Sequence, residues 1–157
     1  MALRDVVKIG EASLRKKSKP VKDFDEDLWQ LLDDMKDTMY KNDGMGLAAP
    51  QVGVLRRVVV MDVNNAFFEL VNPEIIKSKG KDVEEEGCLS VGRFRGRVER
   101  PYEVTVKAFD RFGYPFTLTG EKLLARCICH ELDHLDGVLF VDKSIDKDKY
   151  VKNGGQL

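Results

Sequence analysis

A chain of 157 residues, 43% hydrophobic and 34% charged, is the size of one domain, expected to span 1–157 and to bury about 70% of its unfolded surface. A formal net charge of −1 excludes the basic excess that marks nucleic-acid binding, and the lack of any apolar run of about 18 residues excludes a membrane-spanning helix. Charges come too early at the N-terminus for a secretory leader, and cysteines 88, 127 and 129 form no disulfide pattern, so the expected compartment is the reducing cytoplasm, with thiols used for packing or metal.

Residues 1–22 read as an irregular arm ending near Pro20, with Lys16, Lys17 and Lys19 as solvated charges. Asp25 to Tyr40 is predicted as an amphipathic helix: Leu28, Leu31, Leu32, Met35 and Met39 recur at helical spacing, with Asp23 or Asp25 as cap. Its methionines and Trp29 read as core rather than as cofactor contacts. Asn42-Asp43-Gly44 ends it, and GMGLAAPQVG (44–53) follows as a small-residue loop between helix and strand. That loop lacks the Lys and Ser/Thr of a phosphate loop. It fits a tight structural turn as well as a place where a ligand comes close to the backbone. Within it the Gln51 amide can donate to a carbonyl oxygen.

Arg57 to Val63 (RVVVMDV) is predicted as a buried strand, and Phe68 to Ile76 as another, interrupted at Asn72-Pro73. Lys77 to Asp82 reads as a polar turn. Three carboxylates at Glu84, Glu85 and Glu86 would ordinarily be a solvated run, but Gly87 and Cys88 follow directly, and the glycine lets the backbone approach whatever Cys88 binds. Tyr102 to Asp110 alternates as a half-buried strand, Arg111 to Tyr114 is a hairpin turn, and Pro115 to Leu118 leads into the central helix. That helix is predicted over Thr119 to Leu135, with Thr119 as N-cap, Glu121 at the positive end of the dipole, and Asp136-Gly137 as the stop. Val138 to Val141 is a short apolar stretch, and the polar tail to Leu157 is a weak helix or frayed.

The central helix carries the chemistry. His130 and His134 are four apart and share one face, so both imidazoles can reach one metal ion. Leu123 and Cys127 fall on that same side, while Leu124, Ala125, Ile128, Leu132 and Leu135 form an apolar back. A histidine pair at this spacing is ordinarily structural; the intervening Glu131 changes the reading, because a carboxylate beside two ligands is the base that metal-assisted hydrolysis needs. A catalytic site of this kind takes a third protein ligand and leaves one position open. Candidates are Cys88, Cys127, Cys129 and the carboxylates. Cys127 lies in line with the histidines on one helix and Cys129 points away, so spacing prefers Cys88, from a separate loop, without excluding the others.

GMGLAAPQVG (44–53), EGCLS (86–90) and HELDH (130–134), in this order, resemble the three signature motifs of the bacterial peptide deformylases, and the likeness extends from about residue 5 to 142. The resemblance implies removal of the formyl group from the N-terminal formyl-methionine of newly made polypeptides, releasing formate. It implies Cys88, His130 and His134 as ligands of one divalent metal, commonly Fe(II), with zinc, nickel or cobalt as substitutes. It implies Glu131 as general base and then acid, and Gln51 with the Leu89 N–H as oxyanion hole. Gly46 would pair its backbone with the substrate, and Met45, Val83 or Glu84, Leu123, Cys127 and the His130 ring would lie near the methionine side chain, with Arg95 and Glu86 supporting the site. The partners implied are N-formylated nascent peptides met at the ribosome, a transient association, since Lys143, Lys147, Lys149 and Lys152 alternate with Asp142, Asp146 and Asp148 rather than forming a basic tail.

This chain departs from the family pattern at Gly92, where proline is frequent, and at Glu84, where an apolar residue is frequent; Glu84 is expected to face water like Glu85, with Arg126 as its neutraliser if it faces the pocket instead, and Arg100 is an ion-pair partner for Glu86. The expected fold is α+β: a central metal-binding helix among short, mostly antiparallel strands, with the first helix covering one side. Two rivals remain. A metallopeptidase of the HExxH type would take its third ligand downstream, where only Asp136 stands. A non-catalytic, metal-structured peptide-binding module would close the site with a fourth protein ligand from Cys127 or Asp136.

Overall fold

A computed structural model describes residues 2–157; Met1, the first residue of the expected arm, lies outside the described residues. The arm is extended apart from one 3-10 turn at Ala12–Arg15, which seats Leu14 in the interior. Helix α1, Glu26–Lys41, starts where expected, because the Asp25 carboxylate accepts from the Leu28 N–H at 3.1 Å. Seven strands follow: β1 Gly46–Ala48, β2 Val58–Val63, β3 Ala66–Lys79, β4 Asp82–Glu86, β5 Gly96–Arg100, β6 Glu103–Phe109 and β7 Pro115–Glu121. Helix α2, Leu123–Leu135, and the short α3, Phe140–Lys143, and α4, Lys147–Lys152, complete the chain.

All strand pairs are antiparallel, in a five-stranded sheet ordered β1-β2-β3-β6-β7 and a separate β4-β5 hairpin. The α+β expectation holds, and the reason is visible along β2. Val59, Met61 and Val63 join one core cluster with Ala125, Ile128, Leu132 and Leu135 of α2. Val58 and Val60 join another with Leu28, Leu32, Met35 and Met39 of α1. With a side-chain period of two, a strand apolar at successive positions must be covered on both faces. The sheet is therefore sandwiched between the two long helices. A third cluster packs Val98 of β5 against Leu139, Phe140 and Tyr150 from the C-terminal segment.

Several elements differ from the sequence reading. The central helix starts at Leu123 rather than Thr119: TLTGE completes β7 opposite Thr105, Val104 and Glu103, and the Thr119 and Thr105 hydroxyls are 2.8 Å apart. The ladder offers those backbone groups more than an N-cap would, and Lys122 turns the chain with φ of 53°. Strand β3 extends from Ala66 to Lys79 and absorbs Asn72-Pro73 as a bulge; Asn72 has φ of 50° and its side chain bonds both backbone groups of Val21. Its outer half is exposed, which is why it reads as a polar turn. The GMGLAAPQ loop contains β1 and a 3-10 turn, Ala49–Val52. Neither strand of the β4-β5 hairpin was expected: the exposed Glu84 and Glu85 read as a solvated run, and β5 carries inward Arg100, 3% exposed, a buried arginine that hides the alternation.

Leu32 is fully buried between α1 and the sheet. Leu32→Ala should cost about 2–5 kcal/mol of stability, measured by urea unfolding followed through Trp29, whose indole N–H donates to the Arg111 carbonyl at 2.7 Å.

Candidate metal centre and cleft

Helix α2 presents His130 and His134 to the end of the β4-β5 hairpin, where β4 runs into Gly87 and Cys88. One donor atom from each of Cys88, His130 and His134 lies within 4.8 Å of the other two, and the Cys88 Sγ is 3.4 Å from the His134 Nε2. The other candidate donors are engaged elsewhere. The Cys127 Sγ faces the Met45 carbonyl at 3.8 Å, Cys129 lines a separate cavity behind the helix, and Asp136 pairs with Arg57 at 3.0 Å. A thiolate with two imidazoles is a donor set for a divalent transition metal. Two further observations fit such an ion. The His130 Nδ1–H donates to Glu86 Oε1 at 2.8 Å, which leaves the other ring nitrogen free to ligate. Beside it, Glu131 Oε1 is buried with no hydrogen-bond partner among the described residues.

Glu86 is the most heavily bonded group in the site. Arg100 grips both its oxygens at 2.8 and 2.9 Å, and Arg126 Nη1 donates to Oε2 at 2.6 Å. Burial opposes its ionisation, but hydrogen bonds from Arg100 and His130 outweigh it and hold the carboxyl far below the ordinary range. The expected Glu86–Arg100 pair is present. Glu84 faces solvent, as its water-facing reading has it, and the alternative Glu84–Arg126 pair does not form: Arg126 takes Glu86, the Val98 carbonyl at 2.8 Å and the Asp82 carbonyl at 2.9 Å. An exposed carboxylate offers a buried guanidinium nothing that Glu86 does not supply at shorter range. Burial pushes the Glu131 carboxyl up to about 7 and the His134 ring well below its usual value. On His130 burial also opposes the charge, but hydrogen bonds to Cys88 and Glu86 prevail and raise it.

The cleft in front of these groups has a volume of about 450 Å³. Met45 and Leu123, both largely exposed, form its rim; Gly46, Gln51, Leu89 and Cys127 line it further in. Gly46 lies on the free edge of β1, and a Cβ there would sit 2.5 Å from Glu131 Oε2 and 3.0 Å from the Cys127 Sγ, so only glycine lets the strand approach the carboxylate. Gln51 is buried with its Oε1 accepting from the Ala48 N–H at 3.0 Å, while its Nε2 donates to Ser90 Oγ at 3.1 Å and faces the Cys88 Sγ at 3.5 Å. The Leu89 N–H bonds to no backbone carbonyl among the described residues. Arg95 is exposed at the mouth, 3.7 Å from Glu85, with its Nη1 2.7 Å from where a Gly87 Cβ would be. Val83 and Glu84 do not line the cleft; Arg126, Phe94 and Glu85 do. Arg126 was legible as a site residue, since it precedes His130 by the same four-residue step that separates His130 from His134.

Comparison with known proteins gives one result throughout. Residues 3–150 match the family model described as polypeptide deformylase. The chain is 61% identical to a peptide deformylase of Caldicellulosiruptor bescii over 145 residues, covering 92% of this chain and 87% of that one. It is 54% identical to a peptide deformylase of Thermoanaerobacter pseudethanolicus, over 92% of this chain and 91% of that one. Among solved structures, a peptide deformylase from Legionella pneumophila superposes with a TM-score of 0.88 at 46% identity, covering 99% of this chain and 100% of that one. One from Synechococcus elongatus, in complex with actinonin, gives 0.92 at 39% identity over 98% and 89%.

The Glu86 cluster yields a pH-dependent stability. A carboxyl held below its unfolded value stabilises the fold fully above the ordinary carboxylate range, and the contribution is lost as pH falls towards the folded value. Urea midpoints should therefore decline on the acid side, and Glu86→Gln should lower stability at pH 7 by about 3–5 kcal/mol while flattening that decline; an unchanged acid limb in the variant would count against this account.

Proposed function

The chain belongs to the polypeptide deformylase family, and from that membership we propose that residues 1–157 act as one catalytic domain that hydrolyses the formyl amide of N-formylmethionyl polypeptides and releases formate. The observation that carries the reading is the meeting of Cys88, His130 and His134 at one point, with Glu131 Oε1, which has no partner among the described residues, beside it and the free edge of β1 alongside.

Cys88, His130 and His134 would hold one divalent ion, natively Fe(II), with zinc, nickel or cobalt as substitutes of the same donor preference. When bound, the ion supplies Lewis acidity, lowering the pKa of water and polarising a carbonyl. Glu131 takes the proton of the attacking water and delivers it to the leaving amine. The Gln51 amide and the Leu89 N–H donate to the formyl oxygen as it gains charge; donors of this kind are worth about 3–4 kcal/mol each. Gly46 offers its backbone to an extended peptide, which lies along the sheet edge as an added strand. Met45, Leu123, Cys127 and the His130 ring surround the first side chain, and Arg95 stands where the rest of the peptide leaves the cleft. Glu86 orients His130.

The peptidase rival loses its support with an upstream cysteine in the third ligand position, and the binding-module rival with Cys127 and Asp136 occupied elsewhere. We place the reaction in the cytoplasm, on nascent chains in transient contact with the ribosome; among the described residues no helix is long and apolar enough to cross a membrane.

Formate release from formyl-Met peptides, measured without oxygen and alongside metal analysis, tests the reading. Glu131→Gln should lower kcat by about 100- to 10,000-fold with metal retained, whereas Cys88→Ala should lose metal and activity together. Cleavage of an unformylated peptide at a comparable rate would favour the peptidase instead. Because the base works only when deprotonated, kcat/KM should fall as pH drops through the Glu131 pKa. Burial, opposed by the charges of His130 and Arg100, leaves that pKa at about 7; a bound cation would pull it lower, so the acid limb should lie below neutrality. With Fe(II) at a thiolate, activity should decay in air and persist with nickel.

A further inference from the structure

The N-terminal arm has no part in the chemistry described so far, yet three consecutive residues of it bond to the two segments that carry the oxyanion donors. The Val7 N–H donates to the Gln51 carbonyl at 2.7 Å, the Lys8 ammonium to the Leu89 carbonyl at 2.8 Å, and the Ile9 N–H to the Ser90 carbonyl at 2.8 Å. Both ends of this stretch are tied down. Ahead of it, the Ala2 N–H and Arg4 Nε donate to the Asp34 carboxylate at 3.2 and 3.0 Å, and the Arg4 N–H donates to Thr38 Oγ1 at 2.9 Å, all on α1. At its other end, Ile9 packs against the third core cluster, against which Cys88 also packs.

We propose that Val7–Ile9 form a positioning strap that sets the spacing between the Gln51 amide and the Leu89 N–H, with Lys8 as a positioning residue. Gln51 sits in the 3-10 turn after β1, and Leu89 in the turn after β4, so the two donors belong to different sheets. Leu89 packs its side chain against the cluster that holds Leu47 and Ala49, but among the described residues the hydrogen bonds between the two turns themselves are those of the Gln51 amide, which reaches Ser90 Oγ at 3.1 Å and the Cys88 Sγ at 3.5 Å. That same amide must serve the substrate, so it cannot also hold the gap at a fixed width. The strap spans the gap by the Val7 and Ile9 main-chain N–H groups and the Lys8 side chain, which leave the amide free. Oxyanion donors act by pre-organisation, and small displacements weaken them. Lys8 is exposed, so its bond contributes little to folding, and a catalytic effect can be separated from a structural one.

The inference rests on the oxyanion role of Gln51 and Leu89 proposed above. The test compares Lys8→Met, Lys8→Arg, Val7→Pro (which removes the N–H) and Gln51→Ala as metal-loaded full-length proteins. Lys8→Met should lower kcat about 3- to 10-fold with KM, metal content and Tm unchanged, and Lys8→Arg should restore most of it. Val7→Pro should lower kcat further, and if it fails to fold the lysine pair still decides. Combined with Gln51→Ala, Lys8→Met should cost less than the product of the separate losses. Unchanged kcat in Lys8→Met, or a loss that tracks Tm or metal content, overturns the strap while a strong Gln51→Ala defect leaves the parent reading standing. An active Gln51→Ala overturns both.

Discussion

The carboxylate of Glu86 is the junction on which the site depends. It ends β4, bonds Arg100 from β5 and Arg126 and His130 from α2, and so ties the hairpin to the helix inside the protein. A charge taken out of water is costly unless it is fully paired, and removing one partner leaves the others uncompensated. Two guanidiniums and one imidazole supply that compensation. What the cluster yields is orientation: the His130 ring is held by its Nδ1, and Cys88, two residues after Glu86, is delivered to the same point. Arg100 extends the network to Asp133 at 2.6 Å, on the helical turn that precedes His134.

The sheet supplies the other half of the geometry. Strand β2 is apolar on both faces, so α1 and α2 must lie on opposite sides of it, and this puts the reactive face of α2 against the short edge strand β1. Gly46 closes the approach, since any side chain there would collide with Glu131. The same contact buries the Glu131 carboxylate, and that burial raises its affinity for a proton. Packing, backbone access and basicity thus share one cause, the close passage of a strand over a helix.

Charge is arranged in graded fashion around this centre. Glu86 and Glu131 are both buried, but one is surrounded by donors and stays ionised, while the other has an oxygen without a partner among the described residues and holds a proton more tightly. Environments that drive two carboxyls apart separate a structural role from a chemical one. The arm from Val7 to Ile9 bonds to the turns that carry Gln51 and Leu89, so elements from nearly the whole length of the chain converge on this region.

Much of this was legible before any coordinates. The helical spacing of His130 and His134 sets their common face, the periodicity of Leu28 to Met39 sets α1, and the apolar run Val58 to Met61 of β2 requires cover on both sides; each is a local property of period. Order and wording of the three motifs carried the family. What local pattern could not decide was closure: which cysteine joins the histidines, which partner Arg126 selects, where β7 yields to α2, and that GRVER is a strand whose buried arginine answers a distant glutamate. Those depend on free-energy differences between competing partners far apart in the chain, and a partner's distance and burial exist only once the sheet and the helices have packed.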